Sequence, residues 1–370
     1  MLSLRLRSSL PLFFLFAYVL PAGVCAQDVT SGPWVMQSSG TKAGLRGIHA
    51  VGGGVAWASG TDGTVLRTED SGYMWQSCAL PPDAGKLDFR GIWASDADTA
   101  IVMSSGTGDL SRLYKTTDGC SHWKLLYTNP DKDGFWDAVV FQNRNSGFLL
   151  GDPVGGQFVM MNTGDGGGQW RRARIPGLES TAEAKGVFAA SNSSLTILSN
   201  HRFLFGTGGG VIYRGIELEG AVLDAPANTP SVISGAVAHL SIPIANTGNA
   251  AGVFSLAFRD LKHGMAVGGD YKKPDESAGT AAWTADGGAH WTAAEKPPHG
   301  YRSAVAWDAD AKAWIAAGTN GSDVSYNDGK TWSPLDDGKW NALSLPWVVG
   351  PDGRIAKLGA LQARKNANQK

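Results

Sequence analysis

The chain has 370 residues, a formal net charge of −1 and only 18% charged residues, a balance that argues against a broad nucleic-acid-binding surface. Its 50 glycines and 14 tryptophans suit an all-β protein of many short strands joined by tight turns, and no long stretch carries a helical period.

The N-terminus reads as a secretory signal peptide over residues 1–26. Arg5 and Arg7 give a positive start, Leu10 to Leu20 is apolar, and Val24-Cys25-Ala26 offers a small-residue cleavage site. The apolar run is short for a membrane span, so the expected product is exported, to the periplasm or outside the cell, with no stable span. Two cysteines remain after cleavage, Cys78 and Cys120, and an exported chain with an even number permits a disulfide.

Downstream, one phrase returns five times in the frame Ser/Thr-x-Asp-x-Gly-x-x-Trp. Its Asp and Trp positions are Asp70 and Trp75, Asp118 and Trp123, Asp165 and Trp170, Asp286 and Trp291, then Asn327 and Trp332. Cys120 stands at the Gly position of the second copy. Each residue type has a turn-forming reason. Asp or Asn folds back onto backbone N–H groups, Gly takes a left-handed angle, and Trp starts the next strand and buries a large surface on the neighbouring unit. These carboxylates are therefore turn staples rather than metal or sugar ligands.

The copies recur every 41–48 residues except for one interval of 121, which matches the length of a four-stranded propeller blade. Each unit opens with an apolar strand: Leu45-Arg46-Gly47-Ile48, Phe89-Arg90-Gly91-Ile92, Phe135-Trp136-Asp137-Ala138, Ala184-Lys185-Gly186-Val187, Val253-Phe254-Ser255 and Tyr301-Arg302-Ser303. A second strand ending in Gly follows each. The tail from Trp340 supplies about three more strands, and Trp34-Val35-Met36-Gln37 is spare at the other end. Terminal strands sharing one blade would close the ring and remove its open edges. The predicted fold is a seven-bladed β-propeller over residues 33–360, with six blades as the alternative. Residues 218–251 are expected to form the degenerate end of the fourth blade plus an insertion, and 361–370 a disordered tail.

Propeller topology puts the start of each innermost strand and the second-to-third strand loops on one face, the top. The repeated turns lie on the other. The top then collects Arg46, Arg90, Arg302, Lys185 and Asp137, with Asp152, Asp270 and Tyr271 from the loops. Arginines from separate blades could grip carboxylates by bidentate pairing, or could pair with Asp152 and Asp270 and knit the ring together. No nucleotide or metal-ligand spacing survives inspection: Gly329-Lys330-Thr331 lies in a repeated turn, and Val324 stands where a phosphate loop needs Gly. No cofactor and no metal are expected.

The repeated phrase resembles the Asp-box of sialidase-like propellers, also called the BNR repeat. Combined with Leu45-Arg46-Gly47-Ile48 and Phe89-Arg90-Gly91-Ile92, it resembles the photosystem II stability/assembly factor family over most of residues 33–360. The resemblance implies a propeller without established catalysis and an arginine patch, here Arg46, Arg90 and Arg302, as the contact for a protein partner. The expected function is an exported, monomeric, non-catalytic propeller that binds a protein or peptide at its top face. The alternative is a sialidase-like glycoside hydrolase or carbohydrate-binding propeller, with Tyr271 or Tyr301 as nucleophile and Asp152 or Asp270 as acid.

Overall fold

The repeated turns hold because side chains complete them. In the computed structural model, Thr68 Oγ1 donates to Asp70 Oδ1 at 2.8 Å and accepts the Gly72 N–H at 3.0 Å. Asp70 Oδ1 also takes the Met74 N–H at 3.0 Å. The other four copies repeat this set around Asp118, Asp165, Asp286 and Asn327. Left-handed residues sit where the phrase requires them, at Gly72 (φ 84°) and, in the second copy, at Cys120 (φ 63°). Each turn therefore reverses the chain between the third and fourth strands of its blade.

The structure describes residues 32–198, 202–215, 231–232 and 237–361. The signal-peptide segment 1–26 and the tail from 362 onward lie outside the described residues. Seven antiparallel sheets follow one another, so the ring has seven blades. Their innermost strands are Leu45–Gly52, Phe89–Ala94, Trp136–Phe141, Leu195–Ile197, Ala251–Phe258, Ala304–Asp308 and Ala342–Ser344. The only described helix is a short 3-10 turn, Gly108–Leu110. Trp34–Gln37 pairs antiparallel with Ile355–Leu358 as the outermost strand of the seventh blade, so the two ends of the chain close the ring.

Adjacent blades are joined by apolar layers. The Trp of each repeated turn packs onto the preceding blade: Trp75 meets Trp347 edge-on at 6.1 Å, and Trp123 joins a cluster with Trp57 and Val65. A disulfide links Cys78 to Cys120, from the first blade to the second.

The fourth blade departs from expectation. Ala184 to Phe188 is not its innermost strand; those residues are irregular, and the strand is Leu195–Ile197, paired with Phe203–Gly206. The segment before it crosses the centre of the ring instead. Asn192 accepts the Val139 N–H (2.8 Å) and donates to the Val139 and Ile92 carbonyls (2.9 and 3.3 Å), in the third and second blades. Ser191 donates to the Ser303 carbonyl (2.6 Å) in the sixth blade, and Ser193 to Ser255 (2.7 Å) in the fifth. These side chains satisfy inner-strand polar groups that face the ring axis, which is why a polar run occupies the centre. Asn192 reaches them from a left-handed backbone (φ 62°) that Asn tolerates better than most residues.

After Gly215 the described chain resumes with Ser231–Val232, which runs parallel to the outer strand Arg171–Arg174 of the third blade. Val237–Ser241 then forms the fourth strand of blade four. The predicted insertion thus contains a regular blade strand, and the connection that replaces the missing repeated turn is largely outside the described residues.

Replacing Asn192 with Ala should strip three partly buried hydrogen bonds at once. The expected loss is at least about 2 kcal/mol of folding stability, checked by urea denaturation.

Candidate functional site

Four innermost strands carry an apolar anchor near their start that pairs with a Gly or Ser of the second strand. Leu45 pairs with Gly60, Phe89 with Ser104, Trp136 with Gly151 and Val253 with Gly268. In all four blades the register then slips by one residue. The extra residue of each bulge is Arg46, Arg90, Asp137 or Phe254. A bulge frees a residue from the ladder and re-aims its side chain. Asp152 occupies a further bulge, between Gly151 and Pro153. All five line one cavity of about 500 Å³ at the top mouth, together with Phe188, Tyr271 and Tyr301. The central segment forms its floor through Val187 to Ala190.

Arg302 is not part of this mouth. It was expected to be equivalent to Arg46 and Arg90, but it stands one residue earlier in the register. Its amide donates to Gly268 of the preceding blade, as those of Leu45 and Trp340 donate to Gly350 and Gly318. Arg302 therefore fills an anchor position, where its side chain is fully buried, and Ser303 takes the place facing the cavity. One residue of slip sends a side chain to the other face. The guanidinium pairs with Asp323 (Nε to Oδ2, 2.7 Å) and donates to Asn320 and the Tyr301 carbonyl, both at 2.6 Å. It holds the sixth blade together.

Lys185 is exposed and lines a neighbouring groove with Glu183 and Asn246. Asp270 turns away from the cavity to accept the Lys272 N–H at 2.9 Å. The arginines do not pair with Asp152 or Asp270 either. Both share Asp88, which accepts from Arg90 Nε at 2.8 Å and lies 3.6 Å from Arg46 Nε. Arg90 also donates to the Ala189 carbonyl at 3.1 Å, gripping the central segment. Arg46 is less settled: Nε is buried without a hydrogen-bond partner among the described residues. Burial pulls its pKa down, Asp88 opposes this, and the like charge of Arg90 adds to it.

The adjacent third blade contributes the opposite charge. Asp137 is 1% exposed, and neither carboxyl oxygen has a directed hydrogen-bond partner among the described residues. Burial raises its pKa well above the ordinary range, and the nearby Asp152 raises it further; Arg90 only partly offsets them. The Asp152 N–H gives it little relief, being committed to the Phe135 carbonyl at 2.9 Å. Burial also raises Asp152, against the hydrogen bond it accepts from the Val187 N–H at 2.8 Å. An aromatic wall, which no local sequence pattern announces, lines the same cavity. Phe188 and Phe254 stack at 3.8 Å, Tyr271 meets both edge-on, and Tyr301 meets Phe254 edge-on at 4.8 Å. Phe254 could have been found by aligning the anchors, since it follows Val253 as Arg46 follows Leu45.

No family model matches the chain. No curated protein matches it in sequence. Solved structures do match in shape. A structure of YCF48 bound to D1 peptide superposes with a TM-score of 0.59 at 14% identity, over 89% of this chain and 97% of that one. The fold is similar to that of YCF48. The WD40 propeller domain of Doa1 follows at TM-score 0.58 and 10% identity, over 90% of this chain and 99% of that one. An ancestral GH74 enzyme gives 0.50 at 14% identity, over 86% of this chain but only 41% of that one. At these identities the likeness is one of fold, and the expected resemblance to a photosystem II assembly factor holds at that level.

The Asp137 carboxyl makes the folded protein bind a proton that the unfolded chain releases near its ordinary pKa. Its folded pKa is raised, so stability should fall as pH rises from about 4 toward that folded pKa. Asp137→Asn should flatten this slope and stabilise the protein at neutral pH, measured by thermal melts across the pH range.

Proposed function

We propose that this chain is an exported, non-catalytic propeller that binds a peptide or protein segment at the mouth carrying Arg46 and Arg90. The observation that carries the reading is the pair of guanidiniums from adjacent blades sharing one carboxylate, Asp88, at the edge of a cavity. One carboxylate between two guanidiniums leaves net positive charge, and Arg46 Nε lacks a hydrogen-bond partner. The two arginine side chains remain 34% and 29% exposed, so a ligand carboxylate can reach them. A propeller of this fold holding a peptide in YCF48 is in keeping with the reading.

Export is supported by the signal-peptide pattern at 1–26 and by the Cys78–Cys120 disulfide, which belongs to an oxidising compartment. Among the described residues no helix is long and apolar enough to cross a membrane. The glycosidase alternative loses support from Arg302, whose burial leaves two guanidiniums at the mouth rather than three.

Peptides with a free C-terminal carboxylate should bind the purified protein. Arg46→Ala/Arg90→Ala should weaken them by at least about 30-fold, the scale for truncating a buried charge pair. Unchanged affinity in the folded double variant would remove the site assignment. Hydrolysis of a glycoside panel that is lost on Asp152→Asn would favour the alternative. Export predicts that the mature protein begins at Gln27, read by intact mass.

A further inference from the structure

The mouth cavity carries two arginines and two carboxyls, Asp137 and Asp152. Arg90 lies near Asp137, yet neither carboxyl takes a hydrogen bond from a cation among the described residues. Arg46 and Arg90 share Asp88 instead. A carboxyl that is 1% exposed and has no directed partner is costly to keep, and it lines an open cavity rather than a packed core. The wall beside it is made of aromatic rings, Phe188, Phe254, Tyr271 and Tyr301, whose faces and edges suit an alkyl stem ending in a cation. Lys272 already sets its ammonium 6.0 Å from the Tyr271 ring on the rim.

Resting on the peptide-binding reading above, we infer that this cavity selects peptides whose C-terminal residue is basic. The α-carboxylate meets Arg46 and Arg90, the stem of the side chain lies along the aromatic wall, and its ammonium or guanidinium pairs with the half-buried Asp152, beside the fully buried Asp137. A neutral apolar side chain in the same place would leave the two carboxyls without a cation, so the preference comes from what the site rejects as well as from what it holds.

Binding is coupled to a proton. The charged groups acting on Asp137 are Asp152 and Arg90, and Arg46 and the phenols of Tyr271 and Tyr301 line the same cavity. Among these the two cavity carboxyls are the ones held up by burial, and the phenol of Tyr301 is pushed up, away from neutrality. An incoming cation displaces the carboxyl proton to solvent. Affinity for a basic C-terminus therefore rises with pH, while affinity for an apolar C-terminus stays flat.

The test is calorimetric titration of the full-length mature protein with one peptide sequence in three forms. They end in Lys, Nε-acetyl-lysine or Leu, each with a free carboxylate, at pH 6 and pH 8 in buffers of different ionisation enthalpy. The Lys form should bind at least about 10-fold more tightly than the other two, as one added charge pair provides, and should release a proton. The preference for Lys over Nε-acetyl-lysine and Leu should vanish in Asp137→Asn/Asp152→Asn. Equal binding of the three forms would overturn the inference and leave the peptide-binding reading standing. So would tighter binding of the Lys form at pH 6 than at pH 8, since a protonated carboxyl donating to the ligand predicts that sign. Failure of all three to bind would remove both. The acetylated peptide keeps the test decisive even if the double variant does not fold.

Discussion

One extra residue at the head of an innermost strand governs the top of this ring. The anchor before it is apolar and buried in every bulged blade: Leu45, Phe89, Trp136, Val253. The residue after it rejoins the ladder. Only the residue between is released from the ladder, and its side chain lines the cavity at the mouth. Arg46, Arg90, Asp137 and Phe254 differ in charge, size and polarity, yet the backbone places them alike. The repeats supply the geometry, and the bulges let each blade contribute a different chemical group.

The second constraint is the segment that crosses the centre. A ring of seven innermost strands leaves backbone groups facing the axis, and Ser191, Asn192 and Ser193 satisfy several of them in four different blades. The same segment closes the cavity from below and touches its charged groups of both signs. Arg90 holds the Ala189 carbonyl, and Asp152 holds the Val187 amide. The floor is therefore fixed by the groups that would meet a ligand, so the pocket is preformed and little ordering is required on binding.

The two levels of structure were unequally legible in the sequence. The turn phrase is local: Thr68, Asp70, Gly72 and Met74 hydrogen-bond within a few residues of one another, so the pattern can be read without a fold. The closing strand Trp34–Gln37 was equally visible as a spare element at one end. The mouth was read only in part. Arg46, Arg90, Asp137, Asp152 and Tyr271 come together, but Arg302 does not, because Tyr301-Arg302-Ser303 is offset by one residue from Leu45-Arg46-Gly47. Its core-forming role depends on Asp323, Asn320 and His299, none of which its local sequence announces. The central segment was misread as a strand for a related reason. Ala184 to Phe188 has a strand's composition, but the chain there and just after it bonds to distant blades, Val187 to Asp152, Asn192 to Ile92 and Ser191 to Ser303.

The central claim is that chemistry resides at the bulge positions and not in the repeated turns. Hydrogen–deuterium exchange on titrating the protein with a bound peptide tests it most directly. The account predicts new protection at residues 45–48, 89–92, 136–139 and 187–192, and unchanged exchange in the turns at 69–75, 117–123 and 286–291. Protection concentrated in those turns, with the mouth unaffected, would contradict it.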